Sequence, residues 1–369
     1  MSSKSTKEEA MKSSMSEGPL GHPRHPAVFI TGAGGEVGHG LISALHSDGR
    51  KDIVATDLRE LDQTTREMCG GTYLADVCDR EAMERLLSMY QVTEIFHLAA
   101  VLSSRAEFAP EVGHQVNVGG TINILQIAAD LGRMYGKPVK VIFPSSIATY
   151  GFSTIRQKMD AGAVGEHEFL KPRTMYGCNK LYCENLGRYY ACSYRQLAAD
   201  SSPNEDGNRG FVDFRCIRYP GLISAETVPT GGTSDFVPEM LHAAARGEPY
   251  TCFVREDTRI PFMTMPEAIE ATLQLASAER KDLSQIVYNI SSFNPSAGEV
   301  ADLVKQYFPE SNITFQPDQS RQAMVDSWPE AVDCTAANKD WGFRSRWSLQ
   351  SAFEEYLVPS IMNRYEKNG

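Results

Sequence analysis

Residues 26–49, PAVFITGAGGEVGHGLISALHSDG, constrain the fold more than any other segment. A short apolar stretch, VFIT, runs through Gly32, Gly35 and Gly38 into a pattern that predicts a helix over 36–47. Gly34 falls among them, so a G-x-G start is present as well. Glycines at this spacing let backbone N–H groups approach a phosphate anion, which the positive end of the helix then favours. The groups placed to do so are Gly32, Gly35, Glu36, Val37 and Gly38. The next apolar run, KDIVATD, ends in Asp57, nineteen residues beyond Gly38, with Leu58 after it. A carboxylate there can accept hydrogen bonds from ribose hydroxyls and repels an added phosphate. The segment therefore predicts NAD rather than NADP, with nearby Arg59 a partial offset.

Beyond this run, strands and helices alternate. VFIT, DIVATD, TYLADV, EIFHLAA, VKVIFPSS and FVDFRCIRYP read as buried strands, with helices at 36–47, 80–90, 111–134 and 176–199. Such alternation predicts an α/β class protein with a doubly wound, parallel Rossmann sheet and right-handed crossovers. Ligands then collect at the carboxyl ends of the strands, where Asp57, Asp76, Ala99, Ser146 and Pro220 lie. The helix at 111–134 is apolar nearly all round, which predicts burial on several sides, either against the sheet and the core or with its outer face joined to a second copy. After Pro220 the pattern changes to a glycine-rich loop, short strand-like runs, and Ser296 and Glu299 spaced as a capping box. The expected organisation is a disordered tail at 1–25, an NAD-binding domain at 26–220 with 264–291 returning to it, and a smaller C-terminal substrate lobe from 221–263 and 292–369. The polar stretch 198–210 reads as a solvated insertion.

Within the later strands and helices lies a second kind of chemistry. Tyr176 and Lys180 are four residues apart, so they share one helix face about a turn apart. A cation there favours phenolate and predicts a lowered tyrosine pKa, suited to moving a proton near neutral pH. Ser146, at the end of VKVIFPSS, can hold the oxygen whose proton moves, with Ser145 the alternative if the register differs by one. A Y-x-x-x-K spacing arises by chance in many helices. Its weight here comes from its order in the chain, after a glycine loop, an acidic strand end and a serine-bearing strand. His97 reads as a buried strand-end histidine, and Arg105 and Arg218 as charges near the site.

A formal net charge of -11 argues against nucleic acid as a partner. No apolar run reaches the roughly 20 residues that a membrane helix needs. None of the eight cysteines forms a CxxC pair or a zinc-spaced cluster with histidine, so no metal is expected and the thiols read as reduced and intracellular. Cys178 and Cys183, at the start of the tyrosine-bearing helix, read as packing residues.

TGAGGEVG, HLAA at 97–100, NVGGT at 117–121, FPSS, YGCNK and RYPG together resemble the extended short-chain dehydrogenases, the class of the UDP-galactose epimerases, over about residues 26–365. Within that class, RYPGLIS, GGTSDF with TRIPFM, and RQAMVDSWP are similar to the short-chain type of L-threonine 3-dehydrogenase. Sugar-nucleotide members usually carry an asparagine after an arginine-tyrosine-phenylalanine run, where this chain has Pro220-Gly221. The resemblance implies that NAD oxidises the 3-hydroxyl of L-threonine to 2-amino-3-oxobutyrate. The alternatives are an NDP-sugar epimerase or dehydratase and a catalytically silent NAD-binding module. It further implies Tyr176 as base, Lys180 on the nicotinamide ribose, and Ser146 on the reacting oxygen. Ser103, Thr233, Ser234 and Trp328 would meet or enclose the substrate. Asp76 and Val77 would border the adenine; Leu98, Ala99, Ala100 and Asn117 would line the crevice; Tyr219 and Pro220 would abut the nicotinamide. It also implies a homodimer and a mitochondrial location, with the cytosol the alternative.

Overall fold

The computed structural model describes residues 24–198, 210–229 and 231–366. The expectations for the tail and for the polar insertion at 198–210 fall almost wholly outside the described residues. Seven strands form one sheet: β1 (His25–Thr31), β2 (Ile53–Asp57), β3 (Gly71–Leu74), β4 (Tyr90–His97), β5 (Val139–Ser146), β6 (Val212–Tyr219) and β7 (Val287–Asn289). Their order is β7-β6-β5-β4-β1-β2-β3, and the registers are parallel. The chain thus winds outward one way from β1 and the other way from β4, as in the doubly wound sheet that the alternation predicts. Phe29, Ile30, Ile53, Val54, Ile95 and Phe96 are at most 2% exposed. Coverage on both faces explains why these strands read as continuous apolar runs rather than alternating ones.

Backbone contacts divide the chain into two compact units that do not follow chain order. Among the described residues, one gathers those up to Ala100, those of Gly119–Phe143 and those of Asn185–Arg215; the other gathers Val101–Val118, Pro144–Glu184 and those from Cys216 onward. The first holds β1–β4, the helix α1 (Glu36–Ser47) and the helix α2 (Gly120–Tyr135). Ile124, Leu125, Ala128 and Ala129 of α2 are fully buried. The second holds most of the helix α3 (Met175–Cys192) and a separate core that includes Tyr150, Phe236, Phe262, Trp328 and Phe353.

The helix predicted at 111–134 is broken. A short helix, Pro110–His114, passes through a wide π turn at Gln115–Gly119 before α2 begins. Asn117 ties that turn to a distant stretch of backbone. Its amide oxygen accepts from the Val101 N–H at 2.7 Å, and its amide nitrogen donates to the Val101 carbonyl at 3.0 Å. Periodicity carries no trace of such a long-range tie. The capping box does form, with Ser296 accepting from the Glu299 N–H at 3.1 Å.

Lys158, 3% exposed in the second unit, donates to the Val325 carbonyl at 3.3 Å. Burial pushes its ammonium down to about 8, against the pull of Asp326 and Glu330. Below that pH the folded and unfolded chains both carry the proton, and the fold bears the whole desolvation cost. Between about 8 and the ordinary 10.5 the folded chain releases it first, so the cost fades as pH rises. Lys158→Met is expected to stabilise the fold by about 1–3 kcal/mol near neutral pH, allowing for the donor lost at Val325. The gain should shrink toward pH 10, as read by denaturant unfolding at both pH values; a pH-independent gain would point to packing instead.

Candidate active site

In the first unit the glycine turn lies between the ends of β1 and β4. Gly32 has φ +68, and a Cβ there would lie 2.5 Å from the Ala99 nitrogen and 2.8 Å from the Leu98 carbonyl carbon. Only glycine permits both the left-handed backbone and this approach. Gly35 is the N-cap of α1, in extended conformation and without a side-chain cap. The N-cap residue therefore puts no side chain over the end of the helix, where Glu36, Val37 and buried Gly38 make its first turn. Asp57 folds toward the loop: its carboxylate accepts from the Gly34 N–H at 3.0 Å and the Arg59 N–H at 3.1 Å. Each oxygen retains capacity for a further donor such as a ribose hydroxyl.

Asp76 is exposed and accepts from the Cys78 N–H at 2.9 Å, while Val77 is buried and its carbonyl accepts from Asn123 at 2.9 Å. Leu58 stands 66% exposed. Leu98, Ala99 and Ala100 are half-buried at the β4 end. His97 is buried between the Thr31 and Thr121 hydroxyls, at 2.7 and 3.1 Å, as a strand-end histidine should be. Bare backbone at a helix start, with an acidic strand end beside it, fits a dinucleotide.

The second unit holds the proton-transfer residues. The start of α3 is capped twice: the Thr174 hydroxyl accepts from the Gly177 N–H at 3.1 Å, and Glu107 accepts from the Met175 N–H at 2.6 Å. Gly177 lies so close to the Ala148 carbonyl that a Cβ would overlap it. Its small size brings the helix start against the turn that follows Ser146. Lys180, 4% exposed, donates to the Pro144 carbonyl at 2.6 Å and sits 5.5 Å from the centre of the Tyr176 ring.

Burial pushes the Tyr176 phenol up and the Lys180 ammonium down to about 8. The direction for Tyr176 is opposite to what the spacing predicts, because burial withdraws water from the phenolate and so favours the neutral phenol. Ser145 and Ser146 are told apart by their partners. Ser145 is buried and donates to Glu184 at 2.5 Å; Ser146 is half-buried and accepts from the Ala148 N–H at 3.1 Å.

Ser103 and Thr233 share a hydrogen bond at 3.0 Å, and Ser234, next to Thr233 in sequence, is half-buried. Trp328 is only 4% exposed and packs in the same core against which Tyr176 rests, so it does not stand on an open loop. The Tyr219 hydroxyl pairs with Thr272 at 2.5 Å, and Pro220 is buried. Gly221 faces the Phe262 ring, which a Cβ would approach to 2.5 Å. There is no room at that position for an asparagine side chain.

Of the two arginines left open by the sequence, Arg105 is exposed, and Arg218 is buried and already bound. Its guanidinium makes a bidentate pair with Glu184 at 2.8 and 2.6 Å. Cys183 is buried and its thiol donates to the Asn117 carbonyl at 3.3 Å, whereas Cys178 is exposed and packs less than expected.

Sequence reasoning missed Glu184, Glu107 and Arg321. Glu184 lies one turn past Lys180 and was readable from that spacing. Arg321 rests over the Phe253 ring and donates to the Gly232 carbonyl at 2.8 Å, beside Thr233. Nothing in the sequence joins those segments.

Residues 28–291 match the NAD dependent epimerase/dehydratase family. The chain belongs to this family. Among its members, the chain is 32% identical over 337 residues to L-threonine 3-dehydrogenase, mitochondrial, of Bos taurus, covering 91% of this chain and 82% of that protein. A partial consensus L-threonine 3-dehydrogenase has a similar structure, at TM-score 0.79 and 32% identity over 92% of this chain and 100% of the other. A monomeric L-threonine 3-dehydrogenase from a metagenome superposes at TM-score 0.78 and 33% identity, over 90% of this chain and 98% of the other. The extended short-chain, epimerase-like character that the motifs imply is thus borne out.

Proposed function

We propose that this chain is an NAD-dependent L-threonine 3-dehydrogenase, oxidising the 3-hydroxyl of L-threonine to 2-amino-3-oxobutyrate. The observation that carries this reading is the Tyr176–Lys180 pair on one face of α3, with Lys180 bound to the strand end that bears Ser146. Ser146 holds the reacting hydroxyl. Tyr176, as phenolate, takes its proton. Lys180 keeps positive charge near the phenol and holds a ribose hydroxyl. Oxidised NAD supplies the hydride acceptor. Gly32, Gly35, Glu36, Val37 and Gly38 hold the pyrophosphate by backbone, Asp57 and Leu58 the adenosine ribose, and Asp76 and Val77 the adenine. Leu98, Ala99, Ala100, Tyr219 and Pro220 line the cofactor's path, and Asn117 fixes the turn after β4 through Val101. Ser103, Thr233 and Ser234 take the substrate's polar groups, and Trp328 helps to close the site.

The filled position at Gly221 supports a small substrate over a sugar nucleotide. The test is nicotinamide reduction by purified protein with L-threonine, and with NADP, D-threonine and UDP-galactose as comparisons. Reduction of NAD by L-threonine alone is the expected result. Conversion of UDP-galactose instead would put the chain with the epimerases, and NAD binding without turnover would make it a silent module. A homodimer is supported by large side chains left at the surface of α3, Tyr182 and Tyr189, at 50% and 42% exposure. Equilibrium sedimentation separates dimer from monomer. A mitochondrial location is supported by the relative from Bos taurus and is tested by organelle fractionation. No helix among the described residues is long and apolar enough to cross a membrane.

A further inference from the structure

We infer that Ser145, Glu184, Arg218 and Tyr150 form a buried positioning device that aims the Ser146 hydroxyl at the reacting oxygen, so that Ser145 governs the rate of hydride transfer without touching the substrate. The inference rests on the reading of this site as a hydride-transfer centre.

The geometry begins with the strand. Successive side chains on a strand point to opposite faces, so fixing where Ser145 points also fixes where Ser146 points. Ser145 is fixed by a 2.5 Å bond to Glu184 Oε1. Glu184 lies at the third place of an i, i+4, i+8 row on α3 that begins with Tyr176 and Lys180, so the three share one helix face. Lys180 binds the carbonyl of Pro144, the residue before Ser145, at 2.6 Å. Two consecutive residues of the strand end are therefore held by the helix face that carries the base.

The carboxylate is itself immobilised. Arg218 Nε and a terminal nitrogen donate to its two oxygens at 2.8 and 2.6 Å, and both side chains are at most 3% exposed. The same guanidinium donates to the Tyr150 hydroxyl and the Glu166 carbonyl, each at 2.8 Å, with its centre 4.9 Å from that of the Tyr150 ring. Tyr150 directly follows the single turn Ile147–Thr149 that begins at Ser146, and its hydroxyl donates to Asn289 of β7 at 2.8 Å. Ser146 is thus bracketed in the chain by Ser145 and Tyr150, and both are tied to one ion pair. A buried ion pair is a poor device for stability, because desolvation cancels much of its attraction. Its directional bonds make it a good device for orientation, since a displacement of about 1 Å at a reacting group can cost about a hundredfold in rate.

The test is Ser145→Ala in the full-length chain. It removes one hydroxyl and leaves the Glu184–Arg218 pair intact. Tyr150→Phe is the independent second variant, approaching Ser146 from the other side. Each is assayed with NAD and L-threonine, protiated and deuterated at C3, beside wild type. The expected result is a fall in kcat of roughly 10-fold to 100-fold, with KM and NADH Kd within about twofold of wild type. The isotope effect on kcat should rise as hydride transfer becomes limiting. Wild-type kcat in both variants would overturn the inference, whatever happens to Tm. So would a loss spread equally over KM and NADH affinity, because that is general loosening. A wild type silent with L-threonine but able to bind NAD would overturn the functional reading and this inference with it. An active wild type beside equally active variants would overturn the inference alone.

Discussion

Tyr176→Phe lowers turnover by about 10²–10⁴-fold while NAD affinity stays near that of the unaltered chain, if the phenol is the base of the reaction. The substitution removes one oxygen from a half-buried ring that packs against the core of the second unit, so the fold should tolerate it. The pH dependence follows from the direction of its shift. Burial favours the neutral phenol, and alcohol oxidation needs the phenolate. Oxidation should therefore accelerate as pH rises toward about 8, above which Lys180 loses the charge that favours the phenolate, and reduction of the ketone, which needs the phenol as acid, should slow. Both slopes should vanish in Tyr176→Phe. Rate profiles in the two directions, with NADH affinity by fluorescence, provide the check. Unchanged turnover would remove Tyr176 from the mechanism; lost NAD affinity would make it a binding residue.

Gly32→Ala is expected to abolish function by a different route, one that starts in the backbone. The methyl group would lie 2.5 Å from the Ala99 nitrogen, and the residue would have to keep φ +68. Left-handed backbone costs alanine roughly 1 kcal/mol by itself. The overlap meets backbone on the other side and cannot be relieved by turning a side chain. Together these should destabilise the chain by about 2–4 kcal/mol. Relief by separating the ends of β1 and β4 would pull the turn away from α1, so NAD binding should weaken by about a hundredfold or more. Denaturant unfolding gives the first quantity and calorimetric titration the second. Wild-type affinity in a folded Gly32→Ala chain would mean that the turn does not carry the pyrophosphate.

The features legible in the sequence alone were local in the chain. The glycine turn, the acidic end of β2 and the Tyr176–Lys180 spacing each span a few residues, and their chemistry depends on backbone conformation and helical period. The parallel sheet was legible for the same reason, because strands covered on both faces leave unbroken apolar runs. Folding settled what depends on partners far away in the chain. Arg218 reads as a free charge until Glu184, thirty-four residues before it, takes its guanidinium. Ser145 and Ser146 are equivalent in sequence until one of them meets that carboxylate. The predicted helix at 111–134 breaks where Asn117 reaches back to Val101. The expected lowering of the Tyr176 pKa reverses, because a spacing of four sets the distance between two groups and not how much water they keep. Burial is a property of the packed molecule, and desolvation grows with it.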